Sequence, residues 1–197
     1  MLRLFTRSVA FFALFFAVAA HAQEAPDALV KKTVDEVLTT IKQTRDQKKL
    51  VELAEAKVVP YFDFKRMTQL AAGRAWSQAS AAQQEALEKN FRTLLVRTYT
   101  AALTRVSGDA KVDVKPAAGG GDDVTVKTLA TEPGKQPVQI DYRMEKGAGG
   151  WKVYDVIVEN LSLVTNYRSS FQSEIARSGV DGLIKVIEDK NRKGAEG

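Results

Sequence analysis

The hydrophobic pattern changes period several times along the chain. Val30, Val34, Val37, Leu38 and Ile41 recur every three or four positions, with Lys31, Lys32, Asp35, Glu36 and Lys42 off the stripe. That spacing predicts an amphipathic helix, introduced by Pro26-Asp27. Asp46 is placed to cap a second helix carrying Leu50, Val51, Leu53 and Val58, which Pro60 ends. Asp63 stands at the N-cap position of a short third helix with Phe64, Met67, Leu70 and Ala71 on one face, before Gly73. Ser80-Ala81-Ala82-Gln83 is a capping box and opens the longest helical pattern. Leu87, Phe91, Leu94, Leu95, Tyr99, Ala102, Leu103 and Val106 follow its apolar face until Ser107-Gly108.

The period then drops to two. Val112 and Val114, then Val124 and Val126, then Val138, Ile140, Tyr142 and Met144 alternate with polar residues. Turn signals separate these runs: Gly119-Gly120-Gly121-Asp122, Glu132-Pro133-Gly134 and Gly147 to Gly150. The glycines at 119–121 form a loop and not a phosphate cradle, because no phosphate-binding motif surrounds them. The fourth run, Trp151 to Glu159, is apolar on both sides. Simple alternation puts Trp151, Val153 and Ile157 on one face, with Asp155 and Glu159 interrupting it, and Tyr154, Val156 and Val158 on the other. Such a strand calls for cover on both faces. Beyond Asn160, helical spacing returns in Leu163, Val164, Tyr167, Phe171 and Ile175, with Ser162 as the expected N-cap. Ser178-Gly179 stops this helix, and Leu183, Ile184 and Ile187 make a last short one with Asp181 as its cap. The expected fold is α+β: an antiparallel sheet of four strands or more, covered on its apolar face by several helices. Pattern alone supports equally a packed core and a shell around a cavity.

The N-terminus adds a destination. Arg3 and Arg7 precede an apolar run from Val9 to Ala20, and Ala20-His21-Ala22 has the small-residue form of a cleavage site. Residues 1–22 therefore read as a cleaved export signal, and 23–197 as one domain starting at Gln23. Cleavage removes His21, the only histidine, and the chain has no cysteine. No disulfide, thiol nucleophile, imidazole base or His/Cys metal site is then available, and no cofactor is expected. The full chain carries a formal charge of +5, two of whose positive charges lie in the leader. Basic and acidic residues are mixed, which argues against a nucleic-acid partner. Arg97 beside the apolar face of the long helix has two readings, a carboxylate partner or a ligand phosphate.

Three stretches together carry a resemblance: PYFDFKRMTQLAAGRAW from 60 to 76, FRTLLVRTYTAAL from 91 to 103, and WKVYDVIVENLSLVTNYRSSF from 151 to 171. The chain resembles the MlaC family of periplasmic phospholipid carriers, also called toluene-tolerance proteins. Two positions depart from the family pattern: Asn160, where glycine is expected, and the 80–83 box, which lacks the proline often found after the cap. The resemblance implies a periplasmic protein that binds glycerophospholipid. It implies delivery between an outer-membrane lipoprotein complex and an inner-membrane ABC transporter with its substrate-binding subunit, in support of outer-membrane lipid asymmetry. It implies no catalysis, and a monomer is expected.

Patterning supplies the candidate cavity walls. Val138, Ile140, Tyr142, Met144, Tyr154, Val156 and Val158 make the sheet wall. Phe62, Phe64, Met67, Leu94, Tyr99, Leu163, Tyr167 and Phe171 make the helical wall, and some of all these residues must be plain core. Two other readings compete. One is an exported enzyme, which lacks any G-x-S-x-G or S-x-x-K motif here. The other is a periplasmic chaperone or lipoprotein carrier that binds acylated polypeptide.

Overall fold

The computed structural model describes residues 24–193; the expected leader at 1–22 lies outside them. Helix α1 spans Pro26–Gln43 and α2 spans Gln47–Leu53. A π turn (Ala54–Val58) and a 3-10 turn (Val59–Tyr61) lead into α3, Phe64–Ala72. The short α4 (Arg74–Gln78) and the long α5 (Ala81–Leu103) follow. Caps form at Asp46, Asp63 and Ser80, where the sequence places them. Asp46 accepts from Lys49 N at 2.9 Å and Asp63 from Arg66 N at 2.8 Å. In the box, Ser80 Oγ accepts from Gln83 N at 3.2 Å, and Gln83 Oε1 from Ser80 N at 2.9 Å. Each satisfies a donor that the helix start leaves open.

The sheet contains β1 (Lys111–Val114), β2 (Ala118–Gly120), β3 (Asp123–Thr131), β4 (Val138–Gly147), β5 (Gly150–Val158) and β6 (Leu161–Ser162). All its pairs are antiparallel, in the order β1-β3-β4-β5-β6, and β2 pairs with β3 beside β1. The four expected strands are β1, β3, β4 and β5; β2 and β6 are short additions. The apolar face follows from the register. Val124, Val126, Thr128 and Ala130 pair with Met144, Tyr142, Ile140 and Val138.

One expectation fails in β5. Arg143 pairs with Asp155, but the next β4 residue, Met144, pairs with Val153, so Tyr154 is an extra, unpaired residue. This bulge resets the alternation. Val153, not Tyr154, joins Met144, Val156 and Val158 on the apolar face, and Trp151 moves there with it. Tyr154 takes the opposite face. Its hydroxyl donates to Asp123 (Oδ2 at 2.9 Å), and its ring lies beneath the Arg66 and Arg143 guanidiniums, 4.2 and 5.0 Å from its centroid. Arg66 also pairs with Glu145 and so ties α3 to this side of the sheet.

Two hydrophobic clusters result. One joins Leu29 and Val30 of α1 to Val124, Val126, Met144 and Val153 of the sheet. The other is helical: Phe64, Met67, Ala71, Leu87, Phe91, Leu95 and Val164 together with Phe171, Leu183 and Ile187. Phe62 packs against both, and Asp63 N donates to Val153 O at 2.9 Å, fixing this crossover to the β5 edge. Leu70, expected on the buried face of α3, is 37% exposed instead.

Helix α6 runs from Leu163 to Lys193 and is broken at Gly179, whose φ of 70° and ψ of −175° cannot continue a helix. Asp181 there accepts from Gln83 Nε2 at 2.8 Å. The start of α6 is tied to β5 by Asp155. This buried carboxylate accepts from Ser162 Oγ at 2.7 Å and from Val164 N at 3.2 Å, and Ser162 Oγ in turn accepts from Thr165 N at 3.0 Å. Removing Asp155 leaves a buried N–H and a hydroxyl without acceptors. Asp155→Ala should lower stability by about 2 kcal/mol, and Ser162→Ala by about 1 kcal/mol. Urea melts measure both, and an Asp155→Ala midpoint equal to that of the unmodified protein would contradict this joint.

Candidate functional site

Burial separates the predicted wall residues into two groups. Phe64, Met67, Met144, Tyr154 and Phe171 are sealed in the interior. Phe64, Met67 and Phe171 belong to the helical cluster, and Met144 to the sheet cluster. Tyr154 lies across the sheet from its expected neighbours and does not share a surface with Val156 and Val158.

The second group is open. Val138, Ile140, Tyr142, Val156 and Val158 are half-buried and share the apolar face, where Tyr142 pairs with Val156 and Ile140 with Val158. On the helices, Leu94, Leu163 and Tyr167 are half-buried, and Tyr99 is 38% exposed. Tyr167 is anchored edge-on to Phe91, with centroids 4.9 Å apart. Phe62 stacks on Phe64 at 5.7 Å. Helix α1 lies on β1 and β3, whereas α5 packs mainly on α2, α3 and α6. The middle of the sheet face and the side of α5 and α6 that carries Leu94, Tyr99 and Tyr167 therefore hold apolar residues that are not fully buried.

The tyrosines report the dielectric character of this region. Burial pushes the Tyr142 phenol up to about 12, against a smaller opposing effect of its hydrogen bond with Thr128. Tyr142 is half-buried on the apolar face of the sheet. Tyr99 is likewise pushed up to about 12 by burial and then by neighbouring Tyr167, whose own phenol is raised by burial. Each tyrosine stays neutral well above physiological pH.

Charged groups lie elsewhere. Arg97 donates to Asn191 O at 2.9 Å, which ties α5 to the end of α6. A separate open groove of about 660 Å³ runs between α1 and the Leu53–Lys57 segment, and no predicted wall residue lines it. Its charges pair locally, Lys31 with Asp35 at 2.7 Å and Lys57 with Glu36 at 3.9 Å. Among the described residues no acidic or histidine cluster could hold a metal ion, and no helix is long and apolar enough to cross a membrane. Sequence reasoning missed Val153 and Trp151 as members of the sheet face. Only the bulge places them there, and nothing in the local alternation announces it.

Known proteins with this sequence pattern and fold bear directly on the site. A family model described as MlaC protein matches residues 31–189. The intermembrane phospholipid transport system binding protein MlaC of Haemophilus influenzae is 23% identical over 178 residues, covering 86% of this chain and 83% of its own. Toluene tolerance protein ttg2D of Pseudomonas putida is 26% identical over 182 residues, 88% of this chain and 83% of its own. The solved structure of a phospholipid-binding protein from Ralstonia solanacearum, in complex with a phospholipid, superposes with a TM-score of 0.80 at 40% identity. It covers 87% of this chain and 99% of the solved one. The resemblance read from the three sequence stretches is borne out, and the chain belongs to the MlaC family.

Proposed function

We propose that this protein is a periplasmic carrier of glycerophospholipid. It shelters the acyl chains between the sheet and helices α5 and α6. It passes lipid between an outer-membrane lipoprotein complex and an inner-membrane ABC transporter. The observation that carries the proposal is the continuous apolar strip of Val138, Ile140, Tyr142, Val156 and Val158, which shares one sheet face and is only half-buried. The 40%-identical relative solved with a phospholipid supplies the ligand class. The expected N-terminal export signal supplies the compartment.

The physical task suits such a strip. At ~0.8 kcal/mol per methylene, two acyl chains of about fifteen methylenes cost on the order of 20 kcal/mol to expose to water. A carrier replaces that exposure with an apolar wall. It needs no nucleophile, metal or cofactor, because no bond changes. Leu94, Tyr99, Leu163 and Tyr167 form the opposite wall in this reading, and Phe62 closes the end where the two clusters meet. The sealed residues Phe64, Met67, Met144 and Phe171 support the walls from behind.

Native mass spectrometry of the purified protein should show a discrete adduct of phospholipid mass; an adduct of acylated-peptide mass, or none after mild purification, counts against the proposal. Substitutions test the wall. Val156→Trp or Val158→Trp should keep the melting temperature and reduce bound lipid, because the indole fills space that acyl chains use. In a packed core the same changes would cost about 1–3 kcal/mol. If both variants unfold, the strip is core.

The Tyr142 phenol gives a pH readout. Its pKa is raised on folding from 10.0 to about 12, so its contribution to stability is complete below pH 10 and is lost as pH rises towards 12. Tyr142→Phe should therefore flatten the alkaline part of the stability profile between these values while leaving neutral stability little changed. An unchanged alkaline slope would place Tyr142 in water.

A further inference from the structure

Leu161 is 73% exposed, the most exposed large hydrophobic side chain among the described residues. The turn before it holds it there. Glu159 and Asn160 have φ of 49° and 65°, the left-handed pair that closes a two-residue hairpin between β5 and β6. Asparagine accepts this conformation readily and glutamate does not. Glu159 is nonetheless fixed in it: its Oε1 accepts from Gln139 N at 2.6 Å, and its own N–H donates to Gln139 O at 3.0 Å. Strain that neighbouring bonds enforce points to a use for the conformation. The result of the turn is register. Val158 pairs with Ile140 on one side and with Leu161 on the other, so the three share a face. The row Ile140, Val158, Leu161 runs from the half-buried strip into solvent without a polar interruption.

Resting on the reading of that strip as an acyl-binding wall, we infer that Leu161 is the lip over which a phospholipid acyl chain enters and leaves. A chain drawn from a bilayer meets water before it reaches the wall. An apolar side chain at the rim covers its leading methylenes at that moment and lowers the barrier. The bound lipid gains little from Leu161 once it is inside. The effect is therefore kinetic, equal in both directions, and leaves final loading unchanged.

The test uses the purified protein and vesicles of phosphatidylethanolamine and phosphatidylglycerol carrying a self-quenched fluorescent phospholipid, with no other protein present. Leu161→Ser should take up lipid about tenfold more slowly, the loss of one apolar contact at the barrier, with unchanged melting temperature and final loading. Leu161→Met should restore the rate. Uptake by Leu161→Ser at the unmodified rate overturns the inference, as does equal slowing in Leu161→Met. Val158→Trp, measured alongside, separates the two proposals. Full loading there sinks the acyl-wall reading itself, whereas reduced loading there with an unchanged Leu161→Ser rate sinks only the lip.

Discussion

The bulge at Tyr154 sets the geometry on which the rest depends. With one extra residue in β5, Val153 drops into the sheet cluster while Tyr154 and Asp155 turn to the other side. Tyr154 meets Asp123 and the two guanidiniums, and Asp155 receives the first turn of α6. Without the shift, strict alternation would direct Tyr154 into the apolar face and take Val153 out of the cluster it now completes. The position of α6, and with it Leu163 and Tyr167, follows from a register change one residue long.

That dependence explains what was legible in the chain. Cap chemistry is local, so Asp46, Asp63, Ser80 with Gln83, and Ser162 were readable from spacing, as was the break at Gly179. Strand β4 was readable because apolar and polar residues alternate from Val138 to Glu145, and β3 because they alternate from Val124 to Lys127, before buried Thr128 and exposed Leu129 invert the pattern. The bulge is not local: it depends on how β4 and β5 pair, and a window of nine residues carries no sign of it. Asp155 was read as an interruption of an apolar face, yet it is the buried acceptor that joins strand to helix. Nor does hydrophobicity separate wall from core. Met144 and Ile140 lie four residues apart on one face of one strand, yet Met144 belongs to the buried sheet cluster and Ile140 stays half-buried.

A half-buried apolar strip makes fewer dispersion contacts than a packed interior. Two separate clusters supply the packing on either side of it. The helices hold together through Phe91, Tyr167 and Phe171, and the sheet through α1, so neither half relies on filling the space between them. Phe62 is the one residue that packs against both clusters among those described.

The charge state of such a wall matters as much as its shape. A group that titrates near neutrality would turn an apolar surface polar as pH changes. The shifts found here all run away from neutrality. Tyr99 and Tyr142 rise to about 12 and Tyr167 also rises, each chiefly through burial. Glu132 and Glu174, at the surface, are lowered by hydrogen bonds from Lys135 and from Ser178 with Arg177. The single histidine lies in the expected leader, and no cysteine is present to oxidise. With phenols in place of imidazoles, polar handles on the wall remain neutral over the range in which a histidine would switch. The same composition that leaves the chain without imidazole or thiol chemistry beyond the expected leader keeps the charge of this apolar face constant across the neutral range.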